Sequence, residues 1–274
     1  MLRSIGFWLL LPGLLAACAA APPPAPRTVL PTTAPTPRPT PTLGGSPVPA
    51  LLIVTLGDSL TSGDKDDEPG GGWPRRLLPL VQPARPQAQI INLAQPGWTS
   101  RDLLRGAGGS PNQIDQAVKL LREAGGDKIA TVWIGTNDLF YLYEFGDPTP
   151  AEEAQAASRF GRDLDELLKR LHDTGARVFM ALLHDPARGP VQTSGVFMST
   201  AAEEWARMSQ QAQRYNEIIK SAAAKYGAAL VDIPATQIFT TPALMVEDGI
   251  HPNARGYDEL ARVWWQALSD QVTR

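Results

Sequence analysis

Cysteine is all but missing from this chain: Cys18 is the only one among 274 residues. A disulfide within the chain is therefore excluded, and so is a metal site built on thiolates. Histidine is nearly as scarce, with three residues, so chemistry that needs an imidazole has few places to find one. An excess of positive charge is missing too. The 25 Lys and Arg against 28 Asp and Glu leave a formal charge of -3, which offers no footprint for a nucleic-acid partner. Long apolar runs are lacking apart from Ile5 to Leu15, and a run of that length is too short to cross a bilayer core of roughly 30 Å as a helix. What is present, with 43% hydrophobic residues, suffices for one well-filled domain and something more.

The surplus lies at the N-terminus. Arg3, the apolar run Ile5 to Leu15 and the small residues before Cys18 read as an export signal over residues 1–17. Leu15-Ala16-Ala17-Cys18 resembles the bacterial lipobox, which implies that Cys18 is lipidated and becomes the first residue of the mature chain. On that resemblance the expected location is extracytoplasmic, anchored to a bacterial membrane at the cell surface or periplasmic side. An ordinary signal peptide that happens to contain a cysteine is the alternative. More than one acyl chain makes such an attachment stable, where a single chain is marginal. Residues 18–49 then run almost wholly in Pro, Thr and Ala, with Arg27 and Arg38 the only charges. That composition cannot build a core and favours extended polyproline II, which at ~3.1 Å per residue reaches about 90 to 100 Å. A disordered linker with no required length is the other reading. Residues 50–274 are left as a single folded domain.

Within that domain, apolar runs of strand length alternate with longer segments of helical period, the pattern of an α/β fold with a parallel sheet. The expected strands are Leu51 to Leu56, Gln89 to Leu93, Lys128 to Ile134, Arg177 to Leu183 and Ala229 to Ile233. They are mostly continuous apolar runs, as expected where helices cover both faces. The expected helices are Trp73 to Val81, Ser100 to Arg105, Asn112 to Ala124, Pro150 to Thr174, Ala201 to Tyr226 and Asn253 to Ser269. In the last of these, Tyr257, Leu260, Ala261, Trp264 and Leu268 form an apolar stripe, and the adjacent Trp264 and Trp265 cannot both lie at its centre.

Ligands of open parallel sheets sit beyond the carboxyl ends of the strands, and the motifs of interest fall there. Gly57-Asp58-Ser59-Leu60 follows the first strand, Gly97 the second, and Gly135-Thr136-Asn137-Asp138 the third. Asp248-Gly249-Ile250-His251-Pro252-Asn253 comes after the fifth. A serine hydroxyl barely ionises near neutral pH, so it attacks a carbonyl only when an imidazole takes its proton and a carboxylate orients that imidazole. Ser59, His251 and Asp248 can supply the three groups. The oxyanion that forms needs donors, and the Ser59 backbone N–H, the Gly97 backbone and the Asn137 amide are available. With strand order 2-1-3-4-5, taken here as an assumption, Ser59 and Asn137 face each other at the switch point.

Together these four motifs, in this order and across almost the whole folded domain, resemble the four sequence blocks of the SGNH hydrolases, also called GDSL lipases and esterases. The resemblance implies a three-layer α/β/α flavodoxin-like sandwich with a five-stranded parallel sheet. It implies Ser59 as nucleophile, His251 as general base, Asp248 as its orienting acid, and Ser59, Gly97 and Asn137 as the oxyanion hole, with no cofactor. An α/β-hydrolase is not expected, because no Gly-x-Ser-x-Gly elbow occurs. The chain departs from the family at Ala94, where an earlier glycine is frequent, and at Trp98, where a small polar residue is frequent. Trp98 is expected to narrow the acyl site or offer a stacking face to a sugar.

Further substrate contacts are expected from the aromatic segment Leu139 to Pro148, with Phe140, Tyr141, Tyr143 and Phe145, and from His184 to Met208, with Phe197, Met198, Trp205 and Met208. Both are read as loops forming walls and lid, with ordinary packing as the alternative. His184-Asp185 lines the cleft or is a plain loop pair, and His172 sits where a helix C-terminus favours it. The acidic run Asp64 to Glu68 reads as a solvated loop, with a hard-cation site as the alternative; no metal site is supported by spacing. The expected function is a membrane-anchored serine esterase acting on lipid, short-acyl or O-acetyl-carbohydrate esters through an acyl-enzyme, with the small-molecule, carbohydrate or lipid ester as its partner. A surface carbohydrate- or wall-binding module with little catalysis is the alternative, as is an acyltransferase using the same triad.

Overall fold

The computed structural model describes residues 51–67, 71–144, 146–193, 197 and 200–273. The signal segment 1–17, Cys18 and the linker 18–49 lie outside the described residues, as do Glu68, Phe145 and Met198. Among the described residues no helix is long and apolar enough to cross a membrane.

Five strands, β1 (Leu51–Gly57), β2 (Gln89–Asn92), β3 (Asp127–Trp133), β4 (Arg177–Ala181) and β5 (Ala229–Val231), pair in parallel in the order β2-β1-β3-β4-β5. This is the flavodoxin-like order assumed from the sequence, and each strand lies within two residues of its expected bounds. Every residue of β1 is buried, and β3 and β4 are buried beyond their first residues. The outer strands depart from that pattern. β2 has no fully buried residue and β5 has one, because an edge strand is covered on fewer sides; Leu230 is 41% exposed for this reason.

Helices α2 (Gly72–Val81) and α8 (Ala254–Val272) pack on each other, joined by Trp73 and Trp264, whose rings stack at 4.3 Å. A second set comprises α3 (Ser100–Arg105), α4 (Gln113–Glu123), α6 (Pro150–His172) and α7 (Ala202–Tyr226). The sheet lies between the helix layers of an α/β/α sandwich. Helix α8 carries the expected stripe: Tyr257, Leu260, Ala261, Trp264 and Leu268 are buried, while Trp265 is only partly so.

Two expected loops are not loops throughout. Thr136–Tyr143 is a helix, α5, because Leu139, Phe140 and Tyr143 bury at helical spacing and the Tyr143 hydroxyl donates to Glu153 Oε1 at 2.7 Å. In the other segment Pro186–Arg188 and Pro190–Thr193 form short 3-10 turns before α7 begins. Phe197, Trp205 and Met208 are buried there, and Phe197 contacts both Phe140 and Trp205. The packing alternative holds for these residues, and they form no lid.

Candidate active site

Ser59 begins the short helix α1 (Ser59–Ser62), immediately after β1. Asp58 caps that helix, its Oδ1 accepting the Leu60 N–H at 3.0 Å. The preceding Gly57 has no room for a side chain: a Cβ would collide with the Trp133 carbonyl of β3 and the Thr61 side chain. The Gln113 amide brackets Gly57, accepting its N–H at 2.9 Å and donating to its carbonyl at 2.8 Å. The strand therefore ends at a defined point, with Ser59 at the carboxyl edge of the sheet. Ser59 is 8% exposed and Asp58 fully buried, and burial raises the Asp58 carboxyl to about 7.

The Asp248–His251 loop is shaped by its own side chains. Asp248 Oδ1 accepts the N–H groups of Ile250 and His251 at 2.8 and 2.9 Å, while Gly249 takes the left-handed φ of +69° that the turn requires. Asn253 caps α8 through Gly256 N–H, and its amide donates to the carbonyls of Ala243 and Met245. The result sets Asp248 Oδ2 at 2.7 Å from His251 Nδ1. Burial works against ionisation of Asp248, but the His251 ring and the two backbone N–H groups outweigh it and hold the carboxyl down at about 2. An ionised carboxylate at Nδ1 places the proton there and leaves Nε2 as a base. Nε2 is buried and has no hydrogen-bond partner among the described residues, so Ser59 and His251 are not directly bonded here. Such bonds often tighten only when substrate binds.

The oxyanion candidates are tied to one another. Asn137, at the start of α5, donates through Nδ2 to the Trp98 carbonyl at 3.0 Å, and one amide proton remains free for a ligand. Gly97 has φ of +77° and its carbonyl accepts the Tyr141 hydroxyl at 3.0 Å. Asp138 holds the same loop from behind, accepting Ser100 N–H at 2.8 Å and Ser100 Oγ–H at 2.5 Å. Burial raises this carboxyl to about 6, against the pull of the Ser100 bonds. Ala94 needs no glycine freedom: it is buried, with its N–H on Asn92 Oδ1.

Three of the four expected substrate contacts move. Trp98 is 8% exposed and packs in the core, so its ring offers no stacking face. Phe140 is buried against Phe197. His184 is buried and stacked on Phe239 at 3.8 Å, and burial alone lowers it to about 3, so it is a neutral ring beside a separate cavity of about 370 Å³. Tyr141 alone remains half-exposed, at 48%. It also borders a cavity of about 720 Å³ shared with Thr99, Arg101, Asp138 and Arg159.

The acidic run is only partly a solvated loop. Asp66 is buried in an ion pair with Arg76, which also bonds Asp258 of α8, and Asp66 accepts the Gly72 N–H at 2.6 Å. Asp64 stands with its Oδ2 3.9 Å from His251 Nε2. Gln113, Asp64 and the Asp66–Arg76 pair were not read as part of the site, since each acts across a long sequence separation with no local motif.

Residues 55–259 match the family model described as GDSL-like Lipase/Acylhydrolase. A multidomain esterase of Ruminococcus flavefaciens is 25% identical over 240 residues, 80% of this chain and 28% of that protein. The chain thus spans little more than a quarter of the length of that relative. Among solved structures, LAE5 from the metagenome of Lake Arreo is 21% identical, with a TM-score of 0.56 over 81% of this chain and 96% of its own. Axe2, an acetylxylan esterase from Geobacillus stearothermophilus, is 20% identical with a TM-score of 0.57 over the same shares, 81% and 96%. At these identities the likeness speaks for the fold. The resemblance drawn from the sequence is corrected on this footing. The family matched is the GDSL-like Lipase/Acylhydrolase family, and the SGNH assignment does not carry over to the similar solved structures. Axe2 is described as an acetylxylan esterase and LAE5 as an alpha/beta hydrolase enzyme, the class not expected from the missing elbow.

Proposed function

The chain belongs to the GDSL-like Lipase/Acylhydrolase family, and from that premise we propose that it is a serine hydrolase of carboxylic esters. The observation that carries the reading is His251, fastened at Nδ1 to an ionised Asp248 with Nε2 left as a base. In the reaction His251 Nε2 takes the Ser59 proton as Oγ attacks the ester carbonyl. The negative oxygen is held by the Ser59 N–H, the Gly97 backbone and the free Asn137 amide proton. His251 then protonates the leaving alcohol, and water repeats the sequence on the acyl-Ser59.

An acetyl ester carried on a carbohydrate is the substrate placed first. Axe2, with the same fold, is an acetylxylan esterase, and the exposed Tyr141 ring beside Gly97 supplies the aromatic face that the buried Trp98 does not. We place the protein outside the cytoplasm, tethered through lipidated Cys18 and the Pro/Thr-rich segment, on the strength of the N-terminal sequence alone. Replacing Cys18 by Ala is expected to move the protein from the membrane fraction to the soluble one. The catalytic reading is tested with Ser59→Ala, which is expected to lose turnover of p-nitrophenyl acetate and labelling by a fluorophosphonate probe while keeping its circular dichroism. Turnover that survives this substitution rules it out.

A further inference from the structure

Asp64 Oδ2 lies 3.9 Å from His251 Nε2, too far for a direct hydrogen bond and a span that one water bridges. Both atoms are acceptors. A carboxylate oxygen accepts, and Nε2 is the bare nitrogen of a ring whose proton faces Asp248. Two acceptors facing each other call for a molecule with two protons to donate. With each acceptor about 2.8 Å from the donor oxygen, this separation puts roughly a right angle at that oxygen, which suits water.

The position of Asp64 is built by the nucleophile's own turn. Its N–H donates to the Ser59 carbonyl at 3.1 Å, and its carbonyl accepts the Tyr257 hydroxyl from α8 at 2.8 Å. The loop beyond it is closed by the Asp66–Arg76 pair and by Gly63 and Gly72, whose backbones abut. Asp64 is therefore fixed relative to both Ser59 and the helix that follows His251. Its side chain is 35% exposed and the His251 side chain 13%, while Nε2 itself is buried, so a water reaches the gap from the Asp64 side.

We propose that Asp64 holds the water that cleaves the acyl-enzyme, and so directs the acyl group to water in preference to an alcohol. The inference rests on the serine-hydrolase reading above. In the step, the water oxygen bonds to the acyl carbon of Ser59 while one water proton passes to His251 Nε2 and the carbonyl pair moves to oxygen. The second proton stays on the attacking oxygen, donated to Asp64 Oδ2. The tetrahedral intermediate then collapses, the C–Oγ bond breaks, and Oγ recovers the proton from Nε2, leaving a carboxylic acid and free Ser59. In the acylation step the nucleophile is the Ser59 hydroxyl, whose single proton is already bound for His251. An alcohol acceptor likewise has one proton and nothing for Asp64. The carboxylate thus serves the water step selectively.

The test uses the full chain with p-nitrophenyl acetate, an activated ester for which kcat reads deacylation and kcat/KM reads acylation. Asp64→Ala is expected to lower kcat by about tenfold or more while kcat/KM stays within about threefold. A burst of one p-nitrophenol per Ser59, an acetyl adduct on Ser59 by mass spectrometry, and a larger fraction of acetyl passed to added glycerol are expected with it. Asp64→Asn keeps the Oδ1 bond to Lys65 N–H and is expected to show the same split more weakly, whereas Asp67→Asn, an exposed charge in the same loop, leaves the partition unchanged. Equal losses in kcat and kcat/KM without a burst, or no loss at all, overturn the role of Asp64 while Ser59-dependent turnover stands. Turnover of the wild type that does not depend on Ser59 removes the reading beneath it instead.

Discussion

The side-chain amide of Gln113 closes on both polar groups of Gly57, N–H to Oε1 at 2.9 Å and Nε2–H to the carbonyl at 2.8 Å. A residue 56 positions away thus terminates β1 and aims the turn that carries Ser59.

Gln113→Leu keeps the volume and removes the bracket. The Gly57 carbonyl retains the Gln95 N–H, but the Gly57 N–H is left buried and unsatisfied, at a cost of about 2 kcal/mol. Urea unfolding measures the loss. Activity is expected to fall further than stability accounts for, because the nucleophile's turn loosens.

Asp248→Asn presents an amide to His251 Nδ1 and disfavours the tautomer that leaves Nε2 bare. Turnover of p-nitrophenyl acetate is expected to drop by about three to four orders of magnitude with the fold preserved. Steady-state kinetics alongside circular dichroism check both halves.

The buried carboxyls impose a pH dependence on stability. Asp58 is raised to about 7 and Asp138 to about 6, from 3.8. An acid whose folded pKa is raised binds its proton more tightly in the native state, so its contribution is complete below pH ~4 and is lost as pH rises through 6 to 7. The melting temperature is expected to decline between about pH 4 and pH 7. Asp58→Asn keeps a capping side chain and is expected to flatten that decline. Asp248 has the opposite sign: its lowered carboxyl stabilises above pH ~4, and that support is lost as pH falls toward 2.

Tyr141 separates substrate binding from chemistry. Tyr141→Ala removes the exposed ring and its bond to the Gly97 carbonyl, and is expected to raise KM for an acetylated xylo-oligosaccharide about tenfold or more. Tyr141→Phe keeps the ring and is expected to retain most of that affinity. A parallel rise in KM for p-nitrophenyl acetate in the Ala variant argues against a sugar-stacking role.

Much of the fold was legible because parallel strands covered on both faces are continuous apolar runs: β1, β3 and β4 announce themselves in this way. The edge strands β2 and β5 were found by the same runs but are half open, since a one-dimensional pattern does not say which strand has a neighbour. Helix α5 was missed because its aromatic residues follow Gly135-Thr136-Asn137-Asp138 directly, and the motif drew the segment toward a loop. The same ambiguity misplaced Trp98 and Phe140. A large ring next to a functional motif reads as a wall until packing shows it in the core.

The sequence by itself determined the residue types of the chemistry and their placement after strand ends, since a serine, a base three residues from an acid, and a glycine-bearing loop are local features written in adjacent letters. Only the tertiary structure decided which groups surround them. Gln113 on Gly57, Asn137 on the Trp98 carbonyl, and Asp64 opposite His251 are contacts between segments far apart in the chain, created when the sheet order brings loops to one edge. No local pattern encodes them, because their energy is gained only after the sheet and its helices have closed.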